Sequence, residues 1–130
     1  MDKPQAIYSF WSSFKIPAYE ENSIPTEDER INQNGAAFPF ISYDIVRSDF
    51  DHEVAMSAKL WYRSTNRKSI EEKTDEIEYT LGRGGIQIPF DGGTVWIKKA
   101  DPFAQPISDT DDKSIKGMLI NISVDYNSEY

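Results

Sequence analysis

The chain is predicted to be α+β, a mainly antiparallel sheet of about five strands with two helices packed on one face, in the order α-β-β-α-β-β-β. Three features carry that expectation. Glu53 to Thr65, EVAMSAKLWYRST, alternates strictly between two faces, as a half-covered strand does. Two other segments, near the N-terminus and after Ser69, repeat apolar residues at helical spacing instead. Two short runs rich in strand-forming residues flank Asp91-Gly92-Gly93, the pattern of a tight hairpin.

In chain order, Asp2 is placed to cap a first helix in which Pro4 needs no intrahelical donor. Ile7, Phe10, Trp11 and Phe14 form its buried stripe, and Pro17 is expected to end it. Residues 18–37 hold Pro25, Gly35 and clustered acids without periodicity, and read as a long loop. Phe38 to Val46, FPFISYDIV, is rich in strand formers and should pair with the strand after Asp51, the linker SDFDH making the hairpin. In that next strand Val54, Met56, Ala58, Leu60 and Tyr62 point one way and Ala55, Ser57, Lys59, Trp61 and Arg63 the other. Ser69 with Glu72 has capping-box spacing. Ile70, Thr74, Ile77 and Leu81 mark one narrow face before Gly82 stops the second helix. Ile86 to Phe90 and Thr94 to Lys99 form the hairpin arms. An irregular stretch, DPFAQPISDTDD, follows, and residues 114–126 make a last strand with Met118, Ile120, Ile122 and Val124 on one side.

The 130 residues fit a single domain spanning 1-130, and 38% hydrophobic with 13% aromatic content is too apolar for a disordered chain. The absence of cysteine excludes disulfides, thiolate metal sites and cysteine nucleophiles. No signal-peptide pattern is present and no run of about 18 apolar residues occurs, so neither secretion by signal peptide nor membrane spanning is expected. A net charge of −8 argues against binding nucleic acid through its phosphates. The acids spread over Glu20, Glu21, Glu27, Asp28 and Glu29, then Asp49 and Asp51, then Asp109, Asp111 and Asp112, and read as solvated loops.

The usual chemical signatures fail on their own geometry. LGRGG lacks the lysine and hydroxyl of a phosphate loop and follows a helix rather than preceding one, so it reads as a helix stop. DTDD lacks the glycine and distal glutamate of a calcium loop. His52, the sole histidine, sits in a turn, which rules out a multi-histidine metal site. No serine lies in a glycine-flanked elbow. Arg63, Arg67 and Lys68 form a compact basic cluster beside Trp61 and Tyr62, a pattern that suits single-stranded nucleic acid as well as the charged end of a strand. No enzyme, cofactor or metal is expected. Trp61 is unusual, a large aromatic between Lys59 and Arg63 on the face that should be polar, and is the strongest candidate for a contact hot spot. Trp96 is expected in the core or in helix–sheet packing, and Phe103, between two prolines in a connection with little local cover, is read either as a simple cap on the core or as an anchor for self-association.

LWYRST entering a charged helix, DGGTVWIKKADPFAQP and the closing MLINISVDY, with FWSSFKIPAYEENSIP and FPFISYDIV before them, resemble the small tail terminator proteins of long-tailed phages and prophages. The similarity spans nearly the whole chain, and none of these phrases is a catalytic signature. It implies a non-enzymatic protein of the virion tail, assembled in the host cytoplasm. Such proteins form a ring, usually a hexamer, on the finished tail tube, stop its polymerisation and present a surface to the head-tail connector protein. The implied partners are further copies of itself, the major tail tube protein and the connector, with DNA only passing through the lumen; the net charge of −8 separately suggests that some loop acids line that channel and keep DNA from sticking. The sheet with Trp61, Tyr62, Arg63, Trp96 and Phe103 is the expected region of subunit or tail contact, chosen from the residues and not from a family motif. A head-proximal neck or head-tail completion protein is the alternative reading, and a small acidic enzyme or host-protein inhibitor is one of another class.

Overall fold

Asp2 starts the first helix, α1 (Lys3–Ser12), through a reciprocal capping box: its Oδ1 accepts the Gln5 amide at 2.9 Å, and its own amide donates to Gln5 Oε1 at 2.8 Å. In this computed structural model residues 1–21, 38–46, 53–108 and 113–128 are described. The helix ends before Pro17. The Ser13 hydroxyl and amide both turn back onto the Phe10 carbonyl, and Lys15 takes a left-handed φ of 68°. Ile7, Phe10, Trp11 and Phe14 are all buried, with Phe10 edge-on to Trp11 at 4.7 Å and to Phe14 at 5.3 Å.

The strands are β1 (Ala18–Glu20), β2 (Phe40–Tyr43), β3 (Glu53–Arg63), β4 (Ile86–Phe90), β5 (Gly93–Ser108) and β6 (Ile115–Ser128), and the second helix is α2 (Lys68–Leu81). They form one sheet in the order β1-β2-β3-β6-β5-β4. All pairings are antiparallel except β1 with β2. The α+β architecture with two helices is therefore as expected, with six strands in place of about five.

Three local expectations are corrected. Residues 18–20 are a strand and not loop: Ala18 pairs with Ile41 in parallel, and Pro17 accepts the Ile41 amide at 2.8 Å, a non-local stabilisation that three residues cannot advertise in sequence. The stretch DPFAQP lies inside β5. Its register on β6 jumps from Lys99↔Ile122 to Ala104↔Ile120, so Ala100 to Phe103 form a bulge facing Asn121, whose Nδ2 donates to the Pro102 carbonyl at 3.1 Å. Both prolines fall beyond Ile97, where β4 no longer pairs with β5, and Pro106 keeps its place opposite Met118 of β6. Finally, α2 begins one residue before Ser69, because Asn66 Oδ1 takes the Lys68 amide at 2.9 Å, and Ser69 is not the cap. The SDFDH linker, His52 and Asp109, Asp111 and Asp112 lie outside the described residues, although β2 and β3 do pair antiparallel as a hairpin would.

Both helices cover one face. Helix α1 lies against β1 and β4, and α2 against β3, β5 and β6. Ile70, Thr74, Ile77 and Leu81 are the buried stripe of α2, the Thr74 hydroxyl satisfied by the Ile70 carbonyl at 2.8 Å. Beneath them lie Met56, Ala58 and Leu60 of β3, Val95 and Ile97 of β5, and Met118, Ile120, Ile122 and Val124 of β6. Gly82, φ 58°, ends α2 in a conformation that costs glycine least. Lys73 ties the two helices together, its Nζ reaching the Phe14 carbonyl at 2.8 Å.

Ile120, fully buried at the centre of the sheet, is expected to cost about 2–5 kcal/mol when cut to alanine, read from the denaturant midpoint of I120A. Burial, then the Glu20 carboxylate and Tyr8, push the Tyr43 hydroxyl up from 10.0 to about 12. The folded state thus favours the neutral phenol. Its contribution is complete below the unfolded value near 10.0 and is lost as pH rises through about 12. Alkaline titration of tyrosinate absorbance should show a late step near 12 that is missing in Y43F.

Candidate functional site

Among the described residues, no helix lies on the other face that strand alternation creates. Along β3 it carries Glu53, Ala55, Ser57, Lys59, Trp61 and Arg63, and the register continues it across the sheet. Phe40 of β2 stands opposite Trp61, Trp61 opposite Gly117 of β6, and Gly117 opposite Ile107 of β5. Next to this row lies Ser42, Lys59, Leu119 and Gln105. An apolar row therefore crosses four strands on the uncovered face.

Gly117 organises the row. A Cβ there would lie 2.6 Å from Ile107 Cγ1 and 2.8 Å from Trp61 Cζ3, so both side chains close over the glycine and bury it. Aromatic rings extend the row toward β1: Phe38 and Phe40 are 5.4 Å apart, Phe40 and Tyr19 6.1 Å, and the Arg63 guanidinium lies 4.9 Å from the Phe38 ring centre. Lys59 is 3.6 Å from Glu21. Trp61, Phe40, Leu119 and Ile107 are all half-buried.

The five residues singled out in sequence do not form one patch. Trp61 and Arg63 share the open face at one end. Trp96 shares that face but stands opposite Asp125, eight positions along β6 from Gly117, roughly 26 Å at strand rise. There its Nε1 donates to the Gly84 carbonyl at 2.7 Å and Lys98 lies 4.4 Å over its ring, so it is not in the helix–sheet packing expected for it. Lys98 also pairs with Glu53 at 3.1 Å. The Ser123 hydroxyl, a donor to Glu53, and then Lys98 hold that carboxyl below its ordinary value. Tyr62 is on the helix side, packed against the core, and burial followed by Glu76 and Glu72 of α2 raises its hydroxyl. Phe103 sits in the β5 bulge, half-buried against the core, the placement that the core-capping reading describes.

Sequence reasoning missed Gly117, Ile107 and Phe40. Gly117 gives no periodic signal, and Ile107 fell in a stretch read as irregular. Among the described residues no group of three or more His, Asp or Glu side chains is placed to hold a metal ion. Of the acids, Glu27, Asp28, Glu29, Asp49 and Asp51 lie outside the described residues. No family model, curated protein or solved structure matches this chain.

The added methyl of G117A collides with Ile107 and Trp61 at the distances above, so this substitution should destabilise by about 1–3 kcal/mol and displace Trp61. Urea denaturation with tryptophan fluorescence measures both effects.

Proposed function

We propose that the protein is a structural virion assembly factor, a tail terminator that forms a ring on the end of a phage tail tube, stops its growth and offers a joining surface to the head-tail connector. The observation that carries this reading is the sheet face without a helix, with its apolar row of Phe40, Trp61 and Ile107 across Gly117 and Leu119 in the row beside it. A row of half-buried apolar side chains on a sheet face suits burial against another protein surface. The resemblance in FWSSFKIPAY, LWYRST, DGGTVWIKKADPFAQP and MLINISVDY supplies the assembly. The chemistry required is shape and polarity alone. Each copy makes a heterologous contact whose rotation closes into a ring, six-fold in the resembled family. The tube-facing surface copies the docking geometry of a tube subunit, and the opposite surface does not match the next one. Growth stops because the new edge has no complementary partner. DNA passes through the lumen without a cationic grip, in keeping with the net charge of −8.

Electron microscopy of tubes grown from the tail tube protein with and without this chain tests the reading. Capped tubes of arrested length are expected; tubes of unchanged length with no bound ring would overturn it. Binding to purified connector or portal protein but not to tubes would assign the chain to the neck instead. In the same assay W61A, altered at a half-exposed ring, should stay folded yet need roughly 30-fold more protein to cap, the equivalent of a hot spot worth about 2 kcal/mol.

A further inference from the structure

Arg67 belongs to the basic cluster beside Trp61 in sequence, and its side chain is tied to a backbone carbonyl of β6 and a carboxylate of α2. It precedes the first turn of α2, and its Nη2 donates to the Gly117 carbonyl at 2.7 Å across fifty positions of sequence. Its Nε is buried without a hydrogen-bond partner and lies 3.6 Å from Glu71 Oε1, one turn into α2. The guanidinium is therefore held between the Gly117 carbonyl and the Glu71 carboxylate. A charged donor makes the carbonyl bond stronger than a neutral one would be.

Gly117 is also the residue on which Trp61 and Ile107 close. One backbone position thus meets the start of α2 through its carbonyl and the open-face row through its missing side chain. Nearby, the Ser64 amide donates to the Ser114 carbonyl at 2.7 Å, so the end of β3 and the start of β6 are joined a second time just before α2 begins.

We propose that Arg67 is a positioning residue for the Trp61 contact surface: by fixing β6 at Gly117 it sets the seat of Trp61 and couples the start of α2 to the open face. This rests on the reading of that face as a contact surface. It is nevertheless measured in the free chain, so failure of the parent protein to cap tubes and failure of Arg67 to place Trp61 are separate results.

The three tryptophans make the test direct. Fluorotryptophan-labelled protein gives a fluorine resonance for each, assigned with W61F and W96F. R67M keeps the length of the side chain and removes the donor. It should shift the Trp61 resonance and raise its exposure to solvent quenchers while buried Trp11 and distant Trp96 stay in place, and R67K should restore part of the change. An unmoved Trp61 in folded R67M would overturn the proposal, and so would equal movement of all three rings, which reports general loosening. Should R67M fail to fold, E71Q keeps the shape and removes the charge that steadies the guanidinium. It should displace Trp61 in the same direction by less, and an unchanged Trp61 resonance there would equally overturn the proposal.

Discussion

The antiparallel pairing of β3 with β6, unbroken from Glu53↔Asp125 to Arg63↔Ile115, is the constraint on which the rest of the fold depends. Both strands alternate, and their registers agree, so Met56, Ala58 and Leu60 share a face with Ile122, Ile120 and Met118. A slip of one residue would turn the whole set toward solvent. With that face fixed, α1 and α2 must both lie over it, and the hairpin β4–β5 and the pair β1–β2 complete it on either side.

The opposite face follows from the same alternation. Trp61 faces away from the helices because Leu60 faces them, and it rests on the sheet because Gly117 has no side chain to hold it off. Arg67, at the start of α2, donates to the carbonyl of the same glycine. Hence the most apolar part of the uncovered face stands on a point that both layers of the protein touch. A ring seated before binding loses less conformational freedom on binding. The proposed role in assembly needs no more than such a surface, presented with a fixed orientation.

The sequence made the fold readable wherever one period ran long enough. The Ile70, Thr74, Ile77, Leu81 stripe, the Asp91-Gly92 turn and the Met118 to Val124 alternation all appear in the structure as they read. It was silent where stabilisation is non-local. Three residues of β1 are strand only because β2 lies beside them, and the proline-bearing half of β5 is strand because β6 pairs with it beyond the end of β4. For the candidate surface, Trp61 was legible as an aromatic out of phase with the core. Its neighbours were not, since Phe40, Gly117 and Ile107 come from three other strands and meet Trp61 through register alone. Tyr62 follows from the alternation itself, which puts it with Leu60 on the buried side and away from the contact face.

The central claim is that the open face around Trp61 is the surface covered on assembly. Hydroxyl-radical footprinting of the chain free and bound to tail tubes tests it side chain by side chain. The account predicts that Trp61, Phe40 and Leu119 lose reactivity on assembly, whereas Tyr79, 89% exposed on the outer side of α2, keeps its own. Protection of Tyr79 with Trp61 as reactive as in the free chain would contradict it.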